Sequence, residues 1–366
     1  MYFIPTLYNI KFFSLISIIF KINNHKKFAL KESFLTIKNF YFATTYYFRL
    51  NKLNRKYDKI LDYDFSELIR YELKNIKNFN TIINSINNYT FFQTLKKKNI
   101  NLKCVLNWFE NTSVDKCWNL GVNTFYNHIA SYGYQGFTCY KEFFCLDPTD
   151  FEIKCNLIPK KVILIGKNYE ESKKEFSQKL NIVQGPALRF EYMYKNIESR
   201  KRQNSILVAF SAVESENNNI WNMISKSKVL KNKKILIKKH PIINTEVFFS
   251  NKVIPKNFIF TNLSFENLIK KSRVIITGGS TSTIIESIAN GVPVLIPYNN
   301  EFDKLSLETV KINKNFYKIC HDRKQFEQNI LFLSNKHQLI SNDQILYIRK
   351  NYFNINSDII DLTKIL

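Results

Sequence analysis

VIITGGSTSTIIESIANGVPVLIP, residues 274–297, is the stretch on which the fold turns. Residues 274–277 and 292–296 are short, β-branched, uncharged runs, and between them Ile284, Ile285, Ile288 and Ala289 recur at helical spacing. The order is strand, loop, helix, strand. The loop GGSTS, residues 278–282, supplies two glycines for tight backbone geometry, then hydroxyls able to cap the helix while its first N–H groups face outward. Asn290-Gly291 offers a left-handed exit and Pro293 follows, so the helix spans little more than two turns. In a parallel sheet such a loop lies at the carboxyl end of a strand, where open α/β folds bind ligands, and an outward helix N-terminus attracts anions. Taken by itself, the segment also fits an ordinary crossover loop.

The same alternation continues on both sides. Residues 205–210 (SILVAF), 234–238 (KILIK) and 258–260 read as strands, with a helix over 265–271. Earlier, 102–108 (LKCVLNW), 129–134 and 161–165 (KVILI) are strand candidates, with a helix over 115–126. Residues 34–98 are mostly helical, with polar breaks expected at 51–58 and around Asn87-Asn88. Residues 198–204 (ESRKRQN) have no apolar face and read as a linker, and 326–366 as two amphipathic helices. These patterns give an α/β chain with a parallel sheet in each half. The expected division is 1–200, 201–330 and a C-terminal helical stretch, 331–366, that crosses back to the first domain.

Length and composition narrow the function. A chain of 366 residues with 45% apolar content can bury two cores. Its net charge of +24 is spread along the sequence and accompanies abundant Asn, Ile, Phe and Tyr, so no specific nucleic-acid partner is expected. No zinc-finger, RNP-like or helix-turn-helix pattern is present. Six cysteines show neither CxxC pairs nor Cys/His metal spacing, so reduced thiols and no structural metal are expected. The N-terminal run 2–20 is interrupted by Asn9 and Lys11, which leaves 12–20 as its longest clean run, too short to span a bilayer. It reads first as a buried strand and helix, and second as a surface contact with anionic membrane assisted by Lys21, Lys26 and Lys27.

Polar residues at the strand ends carry the chemistry. In the second half these are Ser211, then Lys238 and His240 in KKHP, then Gly279, Ser280, Thr281 and Ser282 with Glu286 one helical turn beyond. A cation and an imidazole facing a helix N-terminus make a phosphate site. The bland alternatives are a His-Pro chain reversal and a surface carboxylate at a helix start. In the first half, Glu110 ends a strand and suits a general base; its rival role is to cap the helix near Ser113, with Asp115 and Lys116 as a solvated first turn. The lone Asp-x-Asp, Asp62-Tyr63-Asp64, precedes a helix and reads as loop.

The order KKHP followed by ITGGSTSTIIESIANGVPVLIP resembles the donor half of GT-B glycosyltransferases of bacterial surface polysaccharide synthesis. Families with Lys-x-His-Pro and Ser/Thr motifs, such as bacterial sialyltransferases, Kdo transferases and relatives of CDP-glycerol polymerases, are most similar. The resemblance implies two doubly wound Rossmann-like domains facing a cleft. It assigns His240, Ser280, Thr281 and Ser282 to the nucleotide phosphate and Glu286 to the ribose. LNWFENTSVDKCWNLG and GYQGF resemble the Glu-Asn-Gln and Gly-x-Gln segments of surface-carbohydrate glycosyltransferases, which puts Asn111 and Gln135 on the acceptor side. Thr112 stands where Gln is expected, and Gly136-Phe137 where some relatives carry His-Gly.

The expected activity is therefore metal-independent transfer of a sugar, with a lean toward CMP activation, from a nucleotide-sugar donor to a capsule or lipopolysaccharide glycan or a lipid-linked acceptor. It needs no cofactor, and it belongs in the cytoplasm or at the inner face of the plasma membrane. A non-hydrolysing nucleotide-sugar epimerase and a non-catalytic glycan- or membrane-binding protein are the alternatives. The first lacks a Gly-Thr-Arg-Pro-like strand end here, and the second is opposed by the intact motifs.

Overall fold

The computed structural model describes residues 2–5, 12–52, 63–74, 79–138, 144–194, 205–241, 245–298, 312–335 and 340–355. The proposed linker at 198–204 and residue Asp62 lie outside them. The chain divides into two compact units: Met1–Tyr134 with Cys145–Val162 and Phe176–Asn181, and Gln135–Phe144 with Ile163–Glu175 and Ile182–Leu366.

Among the described residues, five α-helices come first: α1 (Phe12–Asn23), α2 (Ile37–Thr44), α3 (Tyr46–Lys52), α4 (Ser66–Lys74) and α5 (Phe79–Lys97). There follow β1 (Cys104–Trp108), α6 (Ser113–Phe125), β2 (Ala130–Gln135), α7 (Asp150–Lys154), β3 (Lys161–Leu164), α8 (Glu170–Phe176) and β4 (Ile182–Gln184). These strands form a sheet in the order β1-β2-β3-β4, with β1 and β2 parallel. The first unit is held by aromatic packing between α5 and α6. Trp118 stacks on Phe91 and meets the edge of Phe92, with Val122 and Tyr126 completing the cluster.

Two expectations fail in this unit. Asn87 and Asn88 do not break α5. Both are buried within it, where Asn88 accepts a hydrogen bond from Lys31 Nζ at 2.7 Å and donates one to the Val114 carbonyl at 3.0 Å. Pairing with distant groups removes the usual tendency of Asn to compete with helical backbone bonds. Nor is the N-terminus a buried strand and helix. Phe3 makes a single bridge to Phe28, and α1 leaves Ile16 and Phe20 exposed.

The second sheet is regular. After β5 (Ser205–Ala209) come α9 (Glu214–Ser225), β6 (Ile235–Lys238), α10 (Thr245–Phe249), β7 (Phe258–Thr261), α11 (Phe265–Ile269), β8 (Ser272–Thr277), α12 (Thr283–Ala289), β9 (Val294–Pro297), β10 (Tyr317–Cys320), α13 (Arg323–Asn335) and α14 (Asn342–Phe353). Its six strands lie in the order β10-β9-β8-β5-β6-β7, every neighbouring pair parallel. The chain steps outward from β5 to β7 and then returns to β8 on the other side. That reversal between β5 and β8 is the topological switch of a doubly wound sheet.

Both faces are covered, which explains the continuous apolar runs. Ile206, Val208, Val274 and Ile276 pack with Trp221 of α9 and Phe326 of α13, whereas Leu207 and Ile275 pack with Leu268 and Ile269 of α11. The helix between β8 and β9 ends as its sequence dictates, with Gly291 at φ 71°.

Candidate functional site

The switch point brings together the loops after β5 and β8. Ser211 follows β5 and is buried; its hydroxyl accepts from the Val213 N–H at 3.1 Å, and its own N–H and carbonyl are both held by the side chain of Asn217. Across the switch, Thr277 Oγ1 donates to the Ala209 carbonyl at 2.8 Å, which joins the two strand ends.

Glu216, in the first turn of α9, reaches the GGSTS loop. Its Oε1 accepts the Ser280 N–H at 2.9 Å, and its buried Oε2 has no hydrogen-bond partner among the described residues. A Cβ on Gly278 would overlap that Oε2, so a side chain there requires the Glu216 carboxylate to move. The sequence reading missed Glu216 because a carboxylate within an Asn-rich helix start carries no motif. It changes the picture of the loop, since the Ser280 amide is already occupied by the Glu216 side chain. Ser282 starts α12 without a side-chain cap; the Thr283 N–H is met instead by Thr281 Oγ1 at 3.3 Å. Gly279 is buried, and Ser280 Oγ is a buried hydroxyl without a partner among the described residues.

Arg189, in the helical segment Leu188–Tyr194, lies within electrostatic reach of both His240 and Glu286. The Arg189 charge acts on both groups. Burial, and then that charge, lower the His240 pKa, so its imidazole is neutral at pH 7 and offers an N–H donor; Arg189 supplies the cation. Glu286 is no surface carboxylate. It accepts the Tyr192 hydroxyl at 2.6 Å, and burial pushes its pKa up to about 7 against the opposing effects of Tyr192 and Arg189. Burial and the Glu286 charge raise the Tyr192 pKa, so the phenol stays protonated and donates.

Behind this group, Arg349 of α14 donates to the carbonyls of Ala289 at 2.8 Å and Met193 at 2.7 Å and to Asn290 Oδ1 at 3.2 Å. It satisfies a carbonyl at the end of α12 and ties it to the segment bearing Arg189 and Tyr192. Lys238 ends β6 in register with Ala209 and Thr261, on the pleat face shared with Leu236.

The first-half residues form a separate group. Thr112 caps α6 in a capping box with Asp115, whose Oδ2 accepts from the N–H groups of Glu110 and Thr112 and from the Thr112 hydroxyl. Glu110 is therefore not the cap. Its carboxylate remains exposed, with the Trp108 indole donating to Oε1 at 2.7 Å. Asp115 and Lys116 are not a solvated turn either: burial raises the Asp115 pKa, and Lys116 pairs with Glu152 at 2.5 Å. Asn111 is buried at φ 55° and donates to the Cys145 carbonyl at 3.1 Å, and Gln135 is fully buried at the end of β2. Asp64 accepts the Ser66 N–H at 2.9 Å and starts α4, in keeping with its reading as loop.

No protein-family model matches the chain, and no curated sequence is significantly similar to it. Solved structures are similar in fold. UGT89C1 of Arabidopsis thaliana, in complex with UDP, superposes with a TM-score of 0.51 at 11% identity over 80% of this chain and 77% of that one. The glycosyltransferase SnogD from Streptomyces nogalater gives 0.43 at 9% identity over 84% of each chain, and the S. aureus MnaA–UDP structure 0.46 at 13% over 92% of each. With its two sheets and alternating helices, the chain has the α/β GT-B fold.

Proposed function

We propose that this protein is a glycosyltransferase that moves a sugar from a nucleotide-sugar donor to a surface-polysaccharide or lipopolysaccharide acceptor. The observation that carries the reading is the convergence of Arg189, His240, Glu286 and Tyr192 in the unit whose doubly wound sheet has its switch point at the GGSTS loop. Such a sheet binds nucleotides beyond its strand carboxyl ends.

In this reading the donor phosphate meets Arg189, Lys238, the His240 N–H and the hydroxyls of Thr281 and Ser282. Glu286, half-protonated near neutrality, can both accept from and donate to a ribose or sugar hydroxyl. Glu216 shapes the loop from beneath. During transfer the acceptor oxygen bonds to the anomeric carbon while the bond from that carbon to the phosphate oxygen breaks. The acceptor gives up its proton to a base, the role assigned to Glu110 from the sequence, and within its own unit the leaving phosphate's charge is met by Arg189 and Lys238. Those cations are the basis for assigning metal-independent transfer. The Lys-His-Pro and Ser/Thr pairing favours a CMP-activated acidic sugar, and the UDP held by UGT89C1 supports a nucleotide ligand more broadly.

A thermal-shift screen against CMP, CDP, UDP, GDP and dTDP, with and without magnesium, tests the donor site. One nucleotide should stabilise the protein without magnesium, and His240→Ala should abolish the shift while leaving the unliganded melting temperature nearly unchanged. No shift from any nucleotide, or a shift retained by His240→Ala, would count against the assignment. Glu110→Gln should keep the shift and lose transfer.

A further inference from the structure

α2 and α3 are built with apolar side chains on the wrong side for a water-soluble surface. Ala43 and Tyr46 are buried, and α2 packs against α5. Ile37 and Tyr41, at i and i+4, lie on a side of α2 turned away from Ala43 and are 88% and 71% exposed, and Phe40 is exposed beside them. Phe42, Tyr47 and Phe48 are exposed as well, with Phe48 at 68%. The Arg49 guanidinium lies 3.7 Å from the centre of the Phe42 ring and donates to Thr45 at 2.8 Å, which braces the junction between the two helices. Isolated exposed apolar residues are ordinary, but six exposed on two short successive helices mark a contact surface.

The charges indicate what covers it. Residues 12–52 hold seven Lys/Arg and one acidic residue, Glu32, whereas the whole chain holds 54 and 30. Lys26 and Lys27 are exposed just beyond α1, which itself exposes Ile16 and Phe20 and contains no acid. A second copy of this chain would set like charges against each other. Among the described residues no helix is long and apolar enough to cross a membrane. Aromatic side chains beside lysines, on helices too short to span, suit the headgroup boundary of an anionic bilayer.

We propose that the outer faces of α1–α3 form a peripheral binding surface for anionic phospholipid membrane. This goes beyond the donor-site reading and does not depend on it, because vesicle binding needs no nucleotide.

The test is sedimentation of the full chain with phosphatidylcholine vesicles prepared with and without phosphatidylglycerol. Binding should require phosphatidylglycerol and weaken with salt. Tyr41→Ser/Phe48→Ser should reduce it at least about tenfold with the thermal unfolding of the free protein unchanged. Lys26→Glu/Lys27→Glu, which leaves the helices' apolar contacts intact, should do the same and serves should the aromatic variant fold poorly. Equal binding by wild type and both variants, equal binding to uncharged vesicles, or no binding would overturn the proposal. So would light scattering that shows a wild-type dimer dissolved by Tyr41→Ser/Phe48→Ser, because the face would then join copies. A failed nucleotide screen alongside retained vesicle binding would leave this surface standing and remove only the donor site.

Discussion

Strands β5 and β1 both start a sheet, yet they are built in different ways. Every residue of β5 is buried, since α9 and α13 cover one face and α11 the other. In β1 the two ends, Cys104 and Trp108, are exposed and the middle is half-buried. The stability of the first sheet region rests instead on the α5–α6 aromatic cluster. One half is specified by strands that must be dry on both faces, the other by helices that leave much of their surface open. Mutations should therefore cost more around the six-stranded sheet than at β1.

The largest effect is expected at Arg349. Replacing it by Ala leaves two buried carbonyls and Asn290 without their donor and should cost about 3 kcal/mol or more. Urea unfolding followed by circular dichroism would measure it, and a loss below about 1 kcal/mol would break the claim that this half is the more tightly specified. Next is Gly278→Ala, whose methyl would meet the Glu216 carboxylate; a loss of about 1–3 kcal/mol is expected, partly recovered in Gly278→Ala/Glu216→Ala. Additive losses in that double-mutant cycle would mean the two residues do not share a contact.

The third effect depends on pH. Between about 4.5 and 7, Glu286 ionises in the unfolded chain but stays largely protonated when folded, so the folded state holds more protons and its stability falls as pH rises through that window. His240 acts in the opposite sense: its folded pKa lies below 6.5, so stability falls as pH drops below that value. Glu286→Gln should remove that fall, about 2–3 kcal/mol across the window, and leave the His240-linked loss on the acid side alone. An unchanged profile would mean Glu286 is not held in a desolvated site. The smallest effect is expected from Trp108→Ala, about 1 kcal/mol or less, since this exposed indole touches Glu110 and Tyr134 at the weak end of β1.

The same difference in burial governs what was legible in the sequence. Strands β5, β6, β8 and β9 stood out because burial on both faces forces an uninterrupted apolar run. Strands β4 and β10 did not, being three and four residues long and mostly half-buried. His240 and Glu286 are singled out by their places near strand ends. Arg189, Tyr192, Arg349 and Glu216 are not, because each acquires meaning from a partner far along the chain; Arg349 reaches a carbonyl 156 residues away. Asn88 misled for the same reason, since a polar residue looks like a helix break until its buried partners are known. The capping role went to Thr112 and not Glu110, a choice that local spacing left open.

The central claim is that a nucleotide binds at the carboxyl edge of the six-stranded sheet. Hydrogen–deuterium exchange on the full chain, with and without saturating CMP or UDP, tests it most directly. The account predicts nucleotide-dependent protection in Leu188–Tyr194, around His240 and through residues 278–286. Protection absent from all three, or confined to β1 and α6, would contradict it.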